Sequence, residues 1–295
     1  MSLKSNRHAG VALAVLAAVF WSTGGLFSRL IDVDGWTLLF WRSTFSAVFV
    51  LMFLTLVSRE TLGSIVGRLT PAAWVVAGMS STAMVAFIFA LRNTTVANVA
   101  VIHAGAPLMV AALSWVLLGD RPPSVALIAG LAAIVGAFLT VGASALSGGG
   151  FAGDLLALIM TLLMALMAIA MRGNERFPVA ETLILSNILC ALAVLPLASP
   201  LAVVPKDLAW LASFGLVQMT LGFLTFGLSL RYLPARDAAL IGAVETPIAP
   251  IWVWLAFHEV PAQSTIVGGS IIFLSVLAFL LSDYRMPRRQ PTVSS

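Results

Sequence analysis

Residues 236–257 read RDAALIGAVETPIAPIWVWLAF. The stretch is as long as a helix needs to cross a bilayer, about 20 residues. Inside it stand Glu245, Thr246 and Pro247, with Pro250 one turn further on. A carboxylate within an apolar span is costly unless it faces protein or a water-filled cavity. Each proline removes a helix hydrogen bond, Pro247 freeing the carbonyl of Ala243 and Pro250 that of Thr246. Such breaks persist in lipid only where neighbouring helices or a wet cavity satisfy the freed groups.

A second stretch of the same kind lies upstream. Residues 95–118 read TVANVAVIHAGAPLMVAALSWVLL, with Pro107 at the place of Pro247 and a titratable group, His103, one turn before it. Each stretch is followed by an acidic residue, a turn containing proline and another apolar run. Asp120, Pro122 and Gly130 mark the first copy, and Glu259, Pro261 and Gly269 the second, at one constant offset of 139 residues (259 less 120). Gly10 and Arg29 match Gly153 and Arg172 at an offset of 143 (153 less 10). A fixed offset of this kind is the mark of an internal repeat.

The composition fits only a polytopic membrane protein. Of 295 residues, 60% are hydrophobic and 9% charged, and the mean hydropathy is +1.05. The net charge of +4 comes from positives in short loops and tails, so no nucleic-acid surface is implied. Cys190 is the one cysteine, which leaves no internal disulfide and no cysteine metal site, and His8, His103 and His258 have no metal-ligand spacing. Lys4 and Arg7 before an apolar run resemble the start of a signal peptide. The run continues to about Ile31 without a small-residue cleavage site, so the first helix is expected to be retained.

Ten apolar spans follow: 9–31, 36–57, 72–91, 95–118, 124–146, 153–171, 179–199, 208–230, 236–257 and 263–282. Strands are excluded, because the runs are too long and do not alternate. With the N-terminus inside, the inner segments hold Lys4, Arg7, Arg59, Arg68, Arg121, Arg172, Arg176, Arg231, Arg236, Arg285, Arg288 and Arg289, while the outer loops keep Arg92 and Lys206. Positive charge marks the cytoplasmic side, so both termini are expected there. The Gly- and Ser-rich loop 147–153 divides the chain into five spans and five. An odd number per half inserts the second half upside down. The expected fold is therefore an all-α polytopic membrane protein of ten transmembrane helices, two inverted five-helix repeats (9–146 and 153–282) around a central cavity. Inverted repeats place a substrate near the midplane of secondary transporters. The short loops leave no room for a nucleotide-binding domain, and no GxxxxGK[ST] loop is present.

Together these features resemble the drug/metabolite transporter superfamily, and within it the EamA family: ten helices, two inverted copies, a proline in helices four and nine, and an acidic residue before helices five and ten. The run LSLRYLPARDAALIGAVETP at 228–247 is similar to that family's second-repeat motif. Asp120 stands where the family usually has glutamate. The resemblance covers 9–282 and is nearest the YddG-like aromatic amino acid exporters. It implies a bacterial inner-membrane protein exporting amino acids, aromatic and other neutral ones, and related metabolites. It implies no cofactor and no catalytic residues.

The residues that would carry transport sit at mid-span. Glu245 lies roughly 13 Å into its helix, near the middle of the hydrocarbon, and is the candidate for a substrate amine or a coupling proton. The alternative is an acid that holds the kink. His103, at similar depth, either faces Glu245 across the repeat axis or is a satisfied structural histidine. Trp21 is the one tryptophan away from a span end, and Met164 is its repeat mate. Met160, Met164, Met167 and Met171 share one helix face and either form a yielding wall for varied side chains or pack against a neighbour. Ser80, Ser81 and Thr82 in helix three and Gln218 and Thr220 in helix eight are candidates to hydrogen-bond a substrate, or to glue helices together, with Ser81 and Gln218 preferred. Asn98 is a weaker candidate. Arg42 is expected to snorkel outward or to pair with Asp32 or Asp34, the alternative being substrate binding. Arg92, Asp120, Arg121 and Glu259 read as caps and topology signals. Pro107, Pro247 and Pro250 are candidate hinges.

A multidrug or quaternary-cation efflux protein would use the same acid and aromatic residues. An intramembrane enzyme is the remote alternative, since only His103 and Glu245 are titratable at mid-span and no GxSxG nucleophile elbow is present. The expected partners are a small-molecule substrate, the lipid bilayer and protons, with neither nucleic acid nor metal.

Overall fold

The computed structural model describes residues 3–119, 124–146, 150–172, 174, 177–233 and 235–285. Among the described residues all regular structure is helical, with no strand. The first half comprises α1 (Leu3–Ser22), α2 (Gly24–Leu30), α3 (Gly35–Met52), α4 (Leu62–Gly67), α5 (Pro71–Asn93), α6 (Val96–Ala104), α7 (Ala106–Leu118) and α8 (Ser124–Leu146). The second comprises α9 (Phe151–Met171), α10 (Val179–Val194), α11 (Pro205–Phe214), α12 (Gly222–Ser229), α13 (Ala235–Gly242), α14 (Glu245–Phe257) and α15 (Gln263–Arg285). Two segments are wound as π-helix, Phe53–Val57 after α3 and Gly215–Leu221 between α11 and α12.

Local chemistry sets where the helices start. Asp34 accepts from the backbone N–H groups of Trp36 and Thr37 at 2.9 and 3.0 Å and so caps α3. Thr70 and Thr95 cap α5 and α6 in the same way. These side chains occupy the free donors of a first helical turn.

Six helices or joined helices are long and apolar enough to cross a membrane, and α6 with α7 make a seventh if their 41° bend falls within one span. The other three expected spans fall on α8, on α13 with α14, and on α15. Of these, α8 and α15 carry shorter apolar stretches, Leu127–Gly142 and Gln263–Ala278. The main core lies between α2, α3, α5 and α11, around Phe27, Leu38, Leu39, Ile88, Leu91 and Phe214. Outside it the surface is apolar too: Val116, Ile128 and Phe138 are 77%, 69% and 75% exposed. Side chains of this kind side by side are stable against lipid rather than water.

Several expected spans are not single straight helices. The first breaks at Thr23, where the Ser22 and Thr23 hydroxyls donate to the carbonyls of Val19 and Phe20 at 2.7 and 2.6 Å. Hydroxyls that bond back along a helix in this way compete with its own ladder. The fourth breaks at Gly105 and the ninth at Ala243–Val244, in each case just before the proline expected to weaken it. The carbonyl of Ala243, freed by Pro247, accepts from the N–H of Thr246 at 3.2 Å. Pro250 lies inside α14 without dividing it. Asp120, Pro122, Arg121, Arg176 and the residues 147–149 lie outside the described residues.

Candidate functional site

The breaks meet at one place. A cavity of about 310 Å³ is lined by α1, α2, α3, α5, α6, α9, α10, the π segment 215–221 and α14. Of the candidate substrate contacts, Trp21, His103, Met160, Met164, Met167, Gln218 and Glu245 line it. Sequence positions more than 220 residues apart (245 less 21) are thereby brought to one wall.

Glu245 is the first residue of α14. Its carboxylate therefore stands beside the free N–H groups and the positive end of that helix's dipole, where negative charge is favoured. Among the described residues no hydrogen bond or ion pair reaches it. His103 is in the last turn of α6, on the near side of the other break, and its Nδ1 is buried without a hydrogen-bond partner. Both titratable groups thus sit where a helix stops, and both face the cavity.

Trp21 is held by its neighbours. Its ring lies 5.0 Å from that of Phe226, tilted by 46°. A Cβ on Gly222 would sit 2.6 Å from the indole, so only glycine lets the ring lie there. Met160, Met164 and Met167 line the cavity as well, while Met171 packs with Ala73, Val76 and Phe177.

Two expectations are corrected. Ser81 does not reach the cavity: its hydroxyl donates to the carbonyls of Ala77 and Ser186 at 2.8 and 2.7 Å and ties α5 to α10. Its neighbour Ser80 lines the cavity instead, because one residue turns a helix by about 100°. Arg42 neither snorkels outward nor pairs with Asp32 or Asp34. It is 1% exposed and lines the cavity. Its Nη1 donates to Oε1 of Gln218 at 3.2 Å, and its guanidinium lies 5.1 Å from the centre of the Phe214 ring. Asp34 is spent on its cap.

The π segment was not foreseen. It carries Gln218 and Thr220, and an extra residue in a helical turn re-aims side chains, which is why such segments recur at functional sites. Gly215 and Gly222 bracket it. A Cβ on Gly215 would meet the Arg42 carbonyl at 2.8 Å, and one on Gly24 would meet Nε2 of Gln218 at 2.7 Å.

Asn98 takes the helix-gluing role. Its Nδ2 donates to Asp154 at 3.1 Å, and its Oδ1 accepts from Thr265 Oγ1 at 2.6 Å, so α6, α9 and α15 are joined. Asp154 is fully buried and also accepts from Thr94 Oγ1 at 2.7 Å. Nearby, Glu259 accepts from Arg29 Nε at 3.2 Å and from the N–H of Val96 at 3.1 Å, and Arg29 Nη2 donates to the carbonyl of Thr94 at 3.1 Å. Glu259 is therefore a cap, but of α6 rather than of its own helix. At the other end of the bundle Arg7 pairs with Asp237 at 3.6 Å, and Arg68 bridges Glu60 and Glu181.

The EamA-like transporter family matches the chain twice, over residues 8–142 and 151–281. A solved crystal structure superposes with a TM-score of 0.65, at 18% identity, covering 94% of this chain and 98% of that one. At that identity the likeness shows the fold alone. No curated protein matches. Two copies of one family domain, an all-helical bundle and a largely apolar cavity between broken helices converge: the chain belongs to the EamA-like transporter family, part of the drug/metabolite transporter superfamily, and is a multi-pass membrane transporter of small molecules.

Proposed function

We propose that the protein exports neutral and aromatic amino acids and related metabolites across a bacterial inner membrane by alternating access, as the YddG-like exporters of the family do. In this reading the chain is ten helices in two inverted halves, 9–146 and 153–282, with both ends cytoplasmic. The substrate contacts are Trp21, His103, Met164, Met167, Gln218 and Glu245. Pro107, Pro247 and Pro250 are the weak points at which α6–α7 and α13–α14 flex. A proton is the coupling ion and Glu245 its carrier.

The observation that supports this best is the make-up of the cavity wall. Trp21 and the methionines make much of the lining soft and apolar, and Glu245 adds a carboxylate at a helix break with no ion pair among the described residues. A volume of about 310 Å³ falls at the small end of the range for ligand pockets, about 300–1,000 Å³, which suits a metabolite. The same wall would take a lipophilic cation, and counterflow in proteoliposomes separates the two. Labelled phenylalanine and leucine should accumulate in liposomes preloaded with unlabelled amino acid, and tetraphenylphosphonium should not. Accumulation of the cation alone would give the multidrug reading its place.

Side-chain size provides a further expectation. Loss of one ring contact weakens binding by about 1 kcal/mol, or roughly fivefold. Trp21→Ala and Met164→Ala should therefore weaken transport of phenylalanine by about that factor and leave alanine nearly unchanged. An equal loss for both would make these residues helix packing only. The topology has its own check. A cysteine at Ser147 should react with an impermeant thiol reagent from outside and one at Arg288 from inside, both sites lying outside the described residues. Reaction of both from one side would contradict ten spans.

A further inference from the structure

Resting on the amino acid reading above, we propose that Arg42 is the residue that binds the substrate's carboxylate, with Gln218 holding the guanidinium in place. The case begins with a charge that the fold leaves unanswered. Arg42 is 1% exposed, yet among the described residues no carboxylate lies within ion-pair reach of it. Its single hydrogen bond goes to a neutral amide, Oε1 of Gln218, at 3.2 Å. Its Nε is buried and has no acceptor among the described residues. A buried cation left in this state is costly, and buried charges are normally paired.

The guanidinium also stands where a solute can answer it, since Arg42 is part of the cavity wall. Its geometry is restrained from two sides. The face lies 5.1 Å from the centre of the Phe214 ring, a cation–π contact. One edge is held by Gln218 in the π segment, which Gly24 allows to come close. A planar fork with donors unspent is suited to a carboxylate, which accepts two parallel N–H bonds. An entering carboxylate would supply the missing counter-charge and an acceptor for the unpartnered donor. Glu245 stands in the same wall, and no ion pair joins the two residues. The cavity thus presents one cation and one acid, each without a partner of opposite charge among the described residues. A solute with both an ammonium and a carboxylate answers both.

The test measures binding to the full-length protein in detergent, by thermal stabilisation, with phenylalanine, phenylalaninamide, 3-phenylpropionate and tetraphenylphosphonium. Charge-assisted bonds of this kind are worth roughly tenfold to a hundredfold in affinity. Wild type should bind phenylalanine tighter than its amide by about that factor. Arg42→Gln should bring phenylalanine down to the level of the amide, weaken 3-phenylpropionate by a similar factor and leave the amide unchanged, while Arg42→Lys retains part of the preference. Equal binding of acid and amide by wild type overturns the proposal, and this comparison needs no variant to fold. A uniform loss for every ligand in Arg42→Gln also overturns it, leaving Arg42 as packing over Phe214. Binding of 3-phenylpropionate without phenylalanine would keep the carboxylate subsite and refute the amino acid reading. Binding of tetraphenylphosphonium alone would refute both.

Discussion

Glu245→Gln is expected to abolish the response of transport to a pH gradient while exchange of substrate across the membrane continues at weakened affinity. Glutamine keeps the size and shape of the side chain at the start of α14, so the break at Ala243–Val244 and the Thr246-to-Ala243 bond that closes it should persist. What is lost is the ability to hold and release a proton. In wild type the carboxylate faces the cavity and has no fixed partner among the described residues, so a proton or a substrate ammonium can occupy it in turn. An exporter that works this way lets a proton in as a solute leaves. Liposomes with an imposed pH gradient should therefore drive labelled phenylalanine in wild type and fail to drive it in Glu245→Gln, while counterflow without a gradient continues in both. A gradient that changes nothing in either protein would make the chain a uniporter and Glu245 a binding or structural acid. A gradient that drives both equally would move the coupling role to His103, the other titratable group at a helix break in the wall.

Gly136→Val is expected to destabilise the packing of α8 on α15. At this position α8 and α15 cross with backbone almost in contact. A Cβ on Gly136 would lie 2.6 Å from the carbonyl oxygen of Gly268 and 2.8 Å from Cγ1 of Ile272. The obstacle on the far side is main chain, which cannot rotate away as a side chain can. Small residues permit this close approach between helices in lipid, where packing rather than hydrophobic burial holds helices together. Overpacking a tight site costs about 1–3 kcal/mol, and more where backbone must move. Gly136→Val should accordingly lower the unfolding temperature in detergent by several degrees and reduce the yield of folded protein. Gly130→Val in the same helix is the control, because a Cβ there meets nothing within 4 Å. Equal unfolding temperatures for the two variants would mean that α8 and α15 do not cross at Gly136.

How far the site could be read in advance depended on which physical variable each residue obeys. Depth was legible. The placing of His103, Gln218 and Glu245 at mid-span follows from residue counting at 1.5 Å per residue, and polar groups at that depth have to face protein or water. The helix breaks were legible for the same reason, since Pro107 and Pro247 remove bonds at known positions. Rotation about the helix axis was not. Ser80 and Ser81 differ by one position, and only the packing of α5 on α10 decides which hydroxyl turns to the cavity. Arg42 failed in the same way: its distance from the end of α3 permits snorkelling, but the face it occupies points inward, onto Phe214. The π segment has no periodic signature. The paired glycines at 215 and 222 were its one trace in the sequence, and their meaning emerges only from what crowds them. The Asp154–Asn98–Thr265 network joins three helices distant in sequence, and no local pattern marks such a junction.

The account stands or falls on whether the cavity is where solute binds. Ser80 lines it, and the chain's one cysteine, Cys190, is fully buried. Ser80→Cys in a Cys190→Ala background therefore places a single thiol in the cavity wall. In proteoliposomes its rate of alkylation by a small maleimide should fall as a transported amino acid is added. Half-protection should come at the concentration that half-saturates transport, and full alkylation should stop counterflow. A thiol that is alkylated at the same rate with or without every transported solute, with counterflow intact after complete reaction, would contradict it.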